Sequence, residues 1–507
     1  MKQMKKLFGF LALFISCLSY SQEKDGGLVL DIERALGNSE TFNNPLFAGD
    51  YPDPSILVDG DTYYIVHSSF EYYPGLTIWS SHNLKDWIPV QSPLTKYVGS
   101  VWAPDFVKYN GKYYIYFPAG TTNYVIWADS IKGKWSEPID LHIGGIDPGH
   151  IIDGKGRRYL YFSNGGYIQL TKDGLATKGE YKHVYDGWEI PREWSIECFC
   201  MEGPKLTKHD DYYYLTVAEG GTAGPATGHM VISARSKSPL GPWENSPYNP
   251  ILRAKSSHEN WCSIGHATPF ADKNGDWWMV FHGYENGHYN MGRQTCLAPI
   301  EWTQDGWWKL PDGYAVEKSF YMNIKQYGVR IPQENSIRPK LFHFWKEYDI
   351  SRFTEIGNKF IVNGKGTDVV SSSPLLLTPS NHSYECSVEV EIDGDAIAGL
   401  LLFYNEKAYS GILADKSDVL SNLRGWQFPT ETNVHKRHVF LKLKNYEDVV
   451  DMYYSLDGKN WTKTTNSFDI SGYHHNVLGE FLAVRIALVS IGEGSVTFKD
   501  FNYQPIE

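Results

Sequence analysis

One pattern constrains this chain more than any other: a short run of aromatic and β-branched residues that returns five times. The copies are Thr62-Tyr-Tyr-Ile-Val66, Lys112-Tyr-Tyr-Ile-Tyr116, Arg158-Tyr-Leu-Tyr-Phe162, Tyr212-Tyr-Tyr-Leu-Thr216 and Asp276-Trp-Trp-Met-Val280. Residues of this kind fit a pleated, half-buried surface. Four copies follow a turn rich in Gly, Asp, Asn or Lys, such as Asp59-Gly-Asp61, Asn110-Gly111 and Asn274-Gly275, which is hairpin chemistry. The spacing is about 50 residues and stretches to about 64 at the last interval. Companion segments ending in tryptophan recur at Ser81–Trp87, Asp129–Trp135 and Ser236–Trp243. A unit of that length with several short strands is the size of a propeller blade. The spacing therefore predicts an all-β chain with a five-bladed β-propeller over residues 38–325.

A second regularity lies about ten residues before each aromatic run, where turn formers surround a polar side chain. The segments are Pro52-Asp53-Pro54, Trp102-Ala-Pro-Asp105, Ile146-Asp147-Pro148, Met201-Glu202-Gly-Pro204 and Gly265-His266-Ala267. The first strand of each blade lines the propeller axis. Asp53, Asp105, Asp147, Glu202 and His266 are thus expected around one funnel. Asp53 is the most constrained, since it sits between two prolines in Asn44-Pro-Leu-Phe-Ala-Gly-Asp-Tyr-Pro-Asp-Pro-Ser55. Proline fixes φ near about −65° and disfavours helix in the residue before it. Such a clamp suits a carboxylate that must hold one position. Taken alone, the stretch would equally suit a turn whose aspartate bonds to local backbone; its place in the repeat points to the axis.

After about Lys325 the blade pattern stops. Ile331–Pro339 reads as a linker, and alternating strands follow at Tyr384–Glu391, Gly399–Phe403, His438–Leu443, Val449–Tyr454 and Ala483–Leu488. They predict an antiparallel β-sandwich over residues 340–507. Residues 1–22 read as a signal peptide. Lys2, Lys5 and Lys6 precede the apolar run Leu7–Leu18, and Ser19-Tyr-Ser21 offers small residues for cleavage. Cys17 would suit a lipid anchor, but Phe14 stands where that signal usually has leucine, so none is expected. No later segment is long and apolar enough to span a membrane. The mature chain is expected to be soluble and exported, periplasmic or secreted.

A net charge of −12 argues against a nucleic-acid partner, which needs a basic face. The 35 Tyr and 17 Trp suit an all-β chain that stacks on flat sugar faces. Past the signal, Cys198, Cys200, Cys262, Cys296 and Cys386 remain, an odd set without paired Cys-x-x-Cys spacing. It leaves at least one free thiol and argues against a structural zinc site built on cysteine.

These residues resemble glycoside hydrolase family 43, the β-xylosidases and α-L-arabinofuranosidases built on a five-bladed propeller. The resemblance covers nearly the whole mature chain. It implies that Asp53 is the general base, that Glu202 is the general acid, and that Asp147 tunes the acid's pKa and orients the sugar. Ser68–Gly75 and Val101–Pro104 are similar to the family's substrate-pocket segments, which implies sugar contacts for Phe70 and Trp102. Gly292–Trp302 resembles the closing segment whose arginine, here Arg293, reaches the substrate. Leu401–Glu406 is similar to part of the sandwich appended to family β-xylosidases. His266 resembles a family histidine that helps hold a central metal, often calcium, through water. Calcium prefers oxygen ligands, so any metal is expected to be structural and no cofactor is required. Asp147-Pro-Gly-His150 departs from many relatives after the proline, which touches loop shape more than chemistry.

An inverting glycosidase sets its two carboxyls roughly 6.5–9.5 Å apart, on opposite faces of the sugar. Asp53 and Glu202, in blades one and four, suit that separation. The acid must keep its proton near neutral pH, so Glu202 is expected to be raised by burial or by the charge of Asp147. If the segment before it is a strand, Cys198 and Cys200 share its face. Two thiols there would help raise it; a disulfide or plain packing is the other reading. Asp105 is read as structural. The leading reading is an exo-acting, inverting β-D-xylosidase acting on xylose-containing oligosaccharides or polysaccharides. An α-L-arabinofuranosidase is the alternative, because the two sugars present similar hydroxyls. A non-catalytic glycan-binding propeller is the alternative of another class, and the joint presence of Asp53, Asp147 and Glu202 speaks against it.

Overall fold

The computed structural model describes residues 41–318, 320–321, 341–430 and 437–506. The signal segment at 1–22, the linker at Ile331–Pro339 and the outer limits of the two expected domains lie outside the described residues. Among the described residues no helix is long and apolar enough to cross a membrane.

Five antiparallel sheets follow one another along the chain. The first contains Ser55–Asp59, Thr62–Val66, Ile78–Ser81 and Ile88–Gln91. The second contains Asp105–Tyr109, Lys112–Ala119, Thr122–Ala128 and Ile139–Asp140. The third contains Gly149–Ile152, Arg158–Tyr161, Gly166–Leu170 and Thr177–His183. The fourth begins with Met201–His209, Tyr212–Glu219 and Met230–Ser236. The fifth has Trp261–Ala271, Trp277–Glu285 and Arg293–Pro299. These are the blades of a five-bladed propeller. Each aromatic run is the second strand of its blade, which explains its composition: it lies inside a sheet and packs on both faces, so Tyr116, Phe117, Tyr161, Tyr214 and Phe281 are all buried.

The tryptophan-tipped companions are the turns between third and fourth strands. Trp87 Nε1 donates to the Leu84 carbonyl at 3.2 Å, and Trp135 Nε1 does the same to Ile131 at 3.2 Å. Two of the three companions thus close the turn with the same indole-to-carbonyl bond.

The fifth blade is closed by the start of the chain. Leu46 N donates to Thr295 O at 2.7 Å and Tyr51 N to Arg293 O at 3.0 Å. Leu297 N donates to Asn44 Oδ1 at 2.8 Å. The Asn44–Ser55 stretch therefore ties the last blade to the first, and Asp53 stands where the two meet.

The C-terminal part is a sandwich of a seven-stranded and an eight-stranded sheet. Burial alternates along Tyr384–Gly394, whereas Arg485–Ile491, in the middle of the larger sheet, is buried throughout. The edge strand of that larger sheet is Tyr72–Tyr73, which belongs to the first blade: Phe344 pairs with Tyr73 and Trp345 with Tyr72. The sandwich is thus docked by main-chain hydrogen bonds, and one apolar core runs from Ile65 and Trp79 of the propeller into Leu400 and Leu488. Each fully buried side chain of this kind contributes about 1.5–3 kcal/mol.

Candidate active site

The site grows from the starts of the innermost strands. Asp53 is held from several directions. Its backbone N donates to His282 Nδ1 at 3.1 Å, and Ser68 N donates to the neighbouring Pro52 O at 3.2 Å. Its carboxylate accepts from Arg293 Nη1 at 2.8 Å and from the Ser68 hydroxyl. Asp53, Asp147 and His266 all adopt left-handed backbone, with φ of 57°, 57° and 53°. That conformation is uncommon outside glycine and gathers at functional sites when the surroundings enforce it.

His266 links the two sides of the axis. Its Nδ1 lies 3.4 Å from Asp53 Oδ1 and 3.8 Å from Glu202 Oε1. Glu202 accepts from Thr222 Oγ1 at 2.6 Å and has His229 Nε2 at 3.6 Å. Asp147 Oδ2 accepts from Gly203 N and from Ser163 Oγ, both at 2.9 Å. Gly203 follows Glu202 for a steric reason: at φ 61°, a Cβ there would stand 2.9 Å from the His266 ring. Asp53, Asp147, Glu202, His266 and Arg293 therefore converge, as the sequence implies.

Asp105 does not join them. It begins the Asp105–Tyr109 strand itself, whereas Asp53 and Asp147 stand two residues ahead of theirs. Its carboxylate falls a layer deeper, accepting from His150 N at 2.7 Å, Lys205 Nζ at 2.9 Å and Ser55 Oγ at 3.3 Å. It ties its own blade to three others, so four blades meet on it.

The electrostatics divide the three acids. Burial alone would raise Asp53, but Arg293, His266 and His282 hold its carboxyl well below the usual carboxylate range. Burial, with the charges of Glu202 and Asp53, pushes Asp147 up to about 6. Glu202 departs from the expectation of a raised value. Burial raises it, but the facing His266 and the nearby His229 bring it down to about 2. Its neighbour His266 is raised, against the effect of burial, by Asp53, Glu202 and Asp147. The sequence places a histidine on the axis without showing that its charge would face the acid.

The expectation of thiols beside Glu202 is also corrected, because Cys198 and Cys200 form a disulfide. Cys262, Cys296 and Cys386 are free and buried.

Aromatic side chains wall the funnel. Phe70 is buried with the Arg293 guanidinium 5.9 Å from its ring. Trp102 is 37% exposed, open to a ligand. Phe481 comes from the sandwich: its ring is 6.3 Å from Trp102, 5.1 Å from the Arg293 guanidinium and stacked at 3.6 Å on His475. Sequence reasoning missed Phe481, His229 and His282. His282 in a strand and His229 just ahead of one belong to no repeated motif, and Phe481 reaches the site only through domain docking.

Asp53, His266 and His282 bring potential ligand atoms within 4.8 Å of one another. Both nitrogens of His266 lack a hydrogen-bond partner. Two imidazoles and a carboxylate already paired with Arg293 are not the oxygen-rich shell that calcium takes directly, so this set does not fit direct ligation of that ion.

Three acids thus meet on a propeller axis, walled by aromatics from two domains. Residues 42–308 match glycosyl hydrolases family 43, and residues 369–504 match the beta xylosidase C-terminal Concanavalin A-like domain. The chain belongs to glycosyl hydrolases family 43. It is similar to a xylan 1,3-beta-xylosidase of a Vibrio species, at 33% identity over 53% of this chain and 57% of that one. It is similar to a non-reducing end alpha-L-arabinofuranosidase of Bacteroides ovatus, at 34% identity over 56% of this chain and 56% of that one. The alignment thus spans little more than half the length of either relative. The GH43 protein BlXynB of Bacillus licheniformis superposes with a TM-score of 0.80 at 25% identity, over 92% of this chain and 100% of that one.

Proposed function

We propose that the chain is an exo-acting, inverting glycoside hydrolase that releases β-D-xylose from the non-reducing ends of xylose-containing oligosaccharides and polysaccharides. The observation that carries this reading is Asp53 facing Glu202 across His266. The two contacts keep Asp53 Oδ1 and Glu202 Oε1 within about 7 Å of each other, a limit that meets both the lower end of the inverting range and the shorter retaining spacing, so the anomer of the first product decides between them. Asp53, kept ionised by Arg293, takes a proton from the attacking water. Glu202 gives a proton to the leaving oxygen. It draws that proton from the group it forms with Asp147 and His266, as a seated sugar excludes water and penalises its charged form. Arg293, Phe70 and Trp102 position the sugar, and Phe481 blocks one side of the funnel, which favours chain ends.

The Bacteroides ovatus relative supports the second reading, an α-L-arabinofuranosidase with the same machinery. The same proposal makes the chain exported, to the periplasm or beyond, on residues 1–22. A structural calcium, held by His266 through water, would take no part in the chemistry.

The test is release of nitrophenol from the β-D-xylopyranoside and the α-L-arabinofuranoside, with NMR of the first-formed anomer. Asp53→Asn should abolish xyloside cleavage, and Glu202→Gln should weaken it on xylobiose by about 10²–10⁴-fold. Faster arabinoside cleavage selects the second reading. A β-anomeric first product from the β-xyloside would overturn inversion, and no turnover of either by a folded chain would overturn the proposal.

A further inference from the structure

Away from the funnel, two histidines lie face to face across the junction of the domains. His288 of the propeller and His382 of the sandwich have ring centroids 3.6 Å apart and planes at 4°. Each also meets a carboxylate of the other domain. His382 Nε2 is 2.9 Å from Glu285 Oε2, and His288 Nδ1 is 3.3 Å from Glu447 Oε2. Glu285, His288 and His382 bring potential ligand atoms within 4.8 Å of one another. All three are half-buried, so an ion could reach them and still be partly shielded.

The shell behind them is built. Gln294 Nε2 donates to Glu285 Oε2 at 3.0 Å. Asn445 Nδ2 donates to the carbonyls of His382 and Glu447, both at 2.8 Å, which couples the two sandwich residues. His288 N donates to Glu285 O at 3.0 Å, which couples the two propeller residues. None of these side chains has a task in the proposed glycosidase chemistry.

We propose that Glu285, His288, His382 and Glu447 form a site for a borderline divalent cation of the zinc type, clipping the sandwich to the propeller. Two imidazoles with carboxylates are the donor set that zinc takes, at about 2.0–2.2 Å in a tetrahedron, whereas calcium would need more oxygens. Such a tetrahedron has edges of about 3.4 Å, so Glu285, His288 and His382 close by an ångström or so, and Glu447 follows through the His288 ring that it already meets. The parallel rings do not aim their lone pairs at one point, so one ring turns out of the stack on binding. Support from Gln294 and Asn445 is the kind of outer contact that holds ligands ready. The clip would bear on the funnel, because the sandwich carries Phe481.

The test uses the untagged mature chain stripped with a chelator, then equilibrated with zinc and assayed for bound metal. The wild-type and His266→Ala chains should each hold one zinc at this site. The His288→Ala/His382→Ala chain should hold one fewer than wild type. Glu285→Gln, which can still hydrogen-bond to His382, should weaken binding at least tenfold. Zinc should raise the wild-type melting temperature by several degrees at about 100 times Kd and leave that of the double variant unmoved. Cobalt in place of zinc should give the intense visible bands of a tetrahedral site. Equal zinc in the wild-type and double-variant chains, or none in the wild type, would overturn the proposal. Loss of the zinc in His266→Ala alone would put the ion on the propeller axis and overturn it too.

Discussion

Arg485 of the sandwich reaches into the propeller and donates through Nη2 to Asp50 Oδ2 at 3.1 Å, with both side chains buried. The guanidinium also lies 3.6 Å from the centre of the Tyr72 ring, in the strand that the propeller lends to the larger sheet. Behind the pair the backbone passes close. A Cβ on Gly292, at φ 79°, would stand 2.4 Å from Asp50 Oδ1 and 2.8 Å from the Ala483 Cβ. Removing one partner of a buried pair strands the other charge and costs about 3–5 kcal/mol. Arg485→Met should therefore lower the urea midpoint sharply. Asp50→Asn added to it should restore part of the loss, because the stranded carboxylate is gone. A double variant no more stable than Arg485→Met would show that the pair is not what stabilises this junction.

The axial acids give a signed pH effect. Asp53 is held far below the usual range and stays ionised under working conditions. The alkaline limb of kcat/KM therefore reports loss of the proton that Glu202, Asp147 and His266 hold as a group. Above about pH 6 Asp147 is anionic and opposes loss of that proton. Asp147→Asn removes the opposing charge, so the alkaline limb should move to lower pH by on the order of one unit. Xylobiose is the substrate for this measurement, since an activated nitrophenol leaving group needs little acid. A limb that stays in place would take Asp147 out of the role given to it.

Buried neutral histidines make stability fall with acid. Burial lowers His67 and His282 to about 3 and His229 to about 4. In the unfolded chain each takes a proton near pH 6.5. Between those limits the unfolded state binds more protons, so stability rises with pH and is lost as pH falls from about 6.5 toward 3. Urea midpoints taken at steps from pH 7.5 to 5 should decline over this window, even though Asp147 and Glu219, raised to about 6 and about 7, contribute in the opposite sense. His67→Gln should flatten the decline. A midpoint constant from pH 7.5 to 5 would contradict the neutral burial of these rings.

The blades were legible because their signal repeats. Five aromatic runs at near-constant spacing cannot be satisfied by a single strand or sheet, and each run is the second strand of a blade. Asp53, Asp147, Glu202 and His266 were legible for the same reason, as one position sampled in several copies. Asp105 shows the limit: it shares the motif, but Lys205 Nζ and His150 N hold its carboxylate a layer deeper. Phe481, Arg485 and the His288–His382 stack had no signal at all. Each takes its place from docking between segments far apart in sequence, which local pattern does not encode.

Phe481 also carries the sharpest prediction for the sandwich. Its ring faces Trp102 and Arg293, yet it belongs to the larger sheet's side of the junction, just before the strand Arg485–Ile491. If the sandwich merely stabilises the propeller, Phe481→Ala should act on melting temperature and leave kinetics alone. The contacts point the other way. The ring is half-buried and stacks on His475 of its own domain, so its loss should cost little stability. A sugar between Trp102 and Phe481 would lose an aromatic wall, and wall contacts of this size are worth about 1–3 kcal/mol. kcat/KM for xylobiose should fall by about 10–100-fold, mainly through KM, with the melting temperature within a few degrees of wild type. An unchanged kcat/KM would show that the sandwich does not touch the substrate, and exo action would then need another cause.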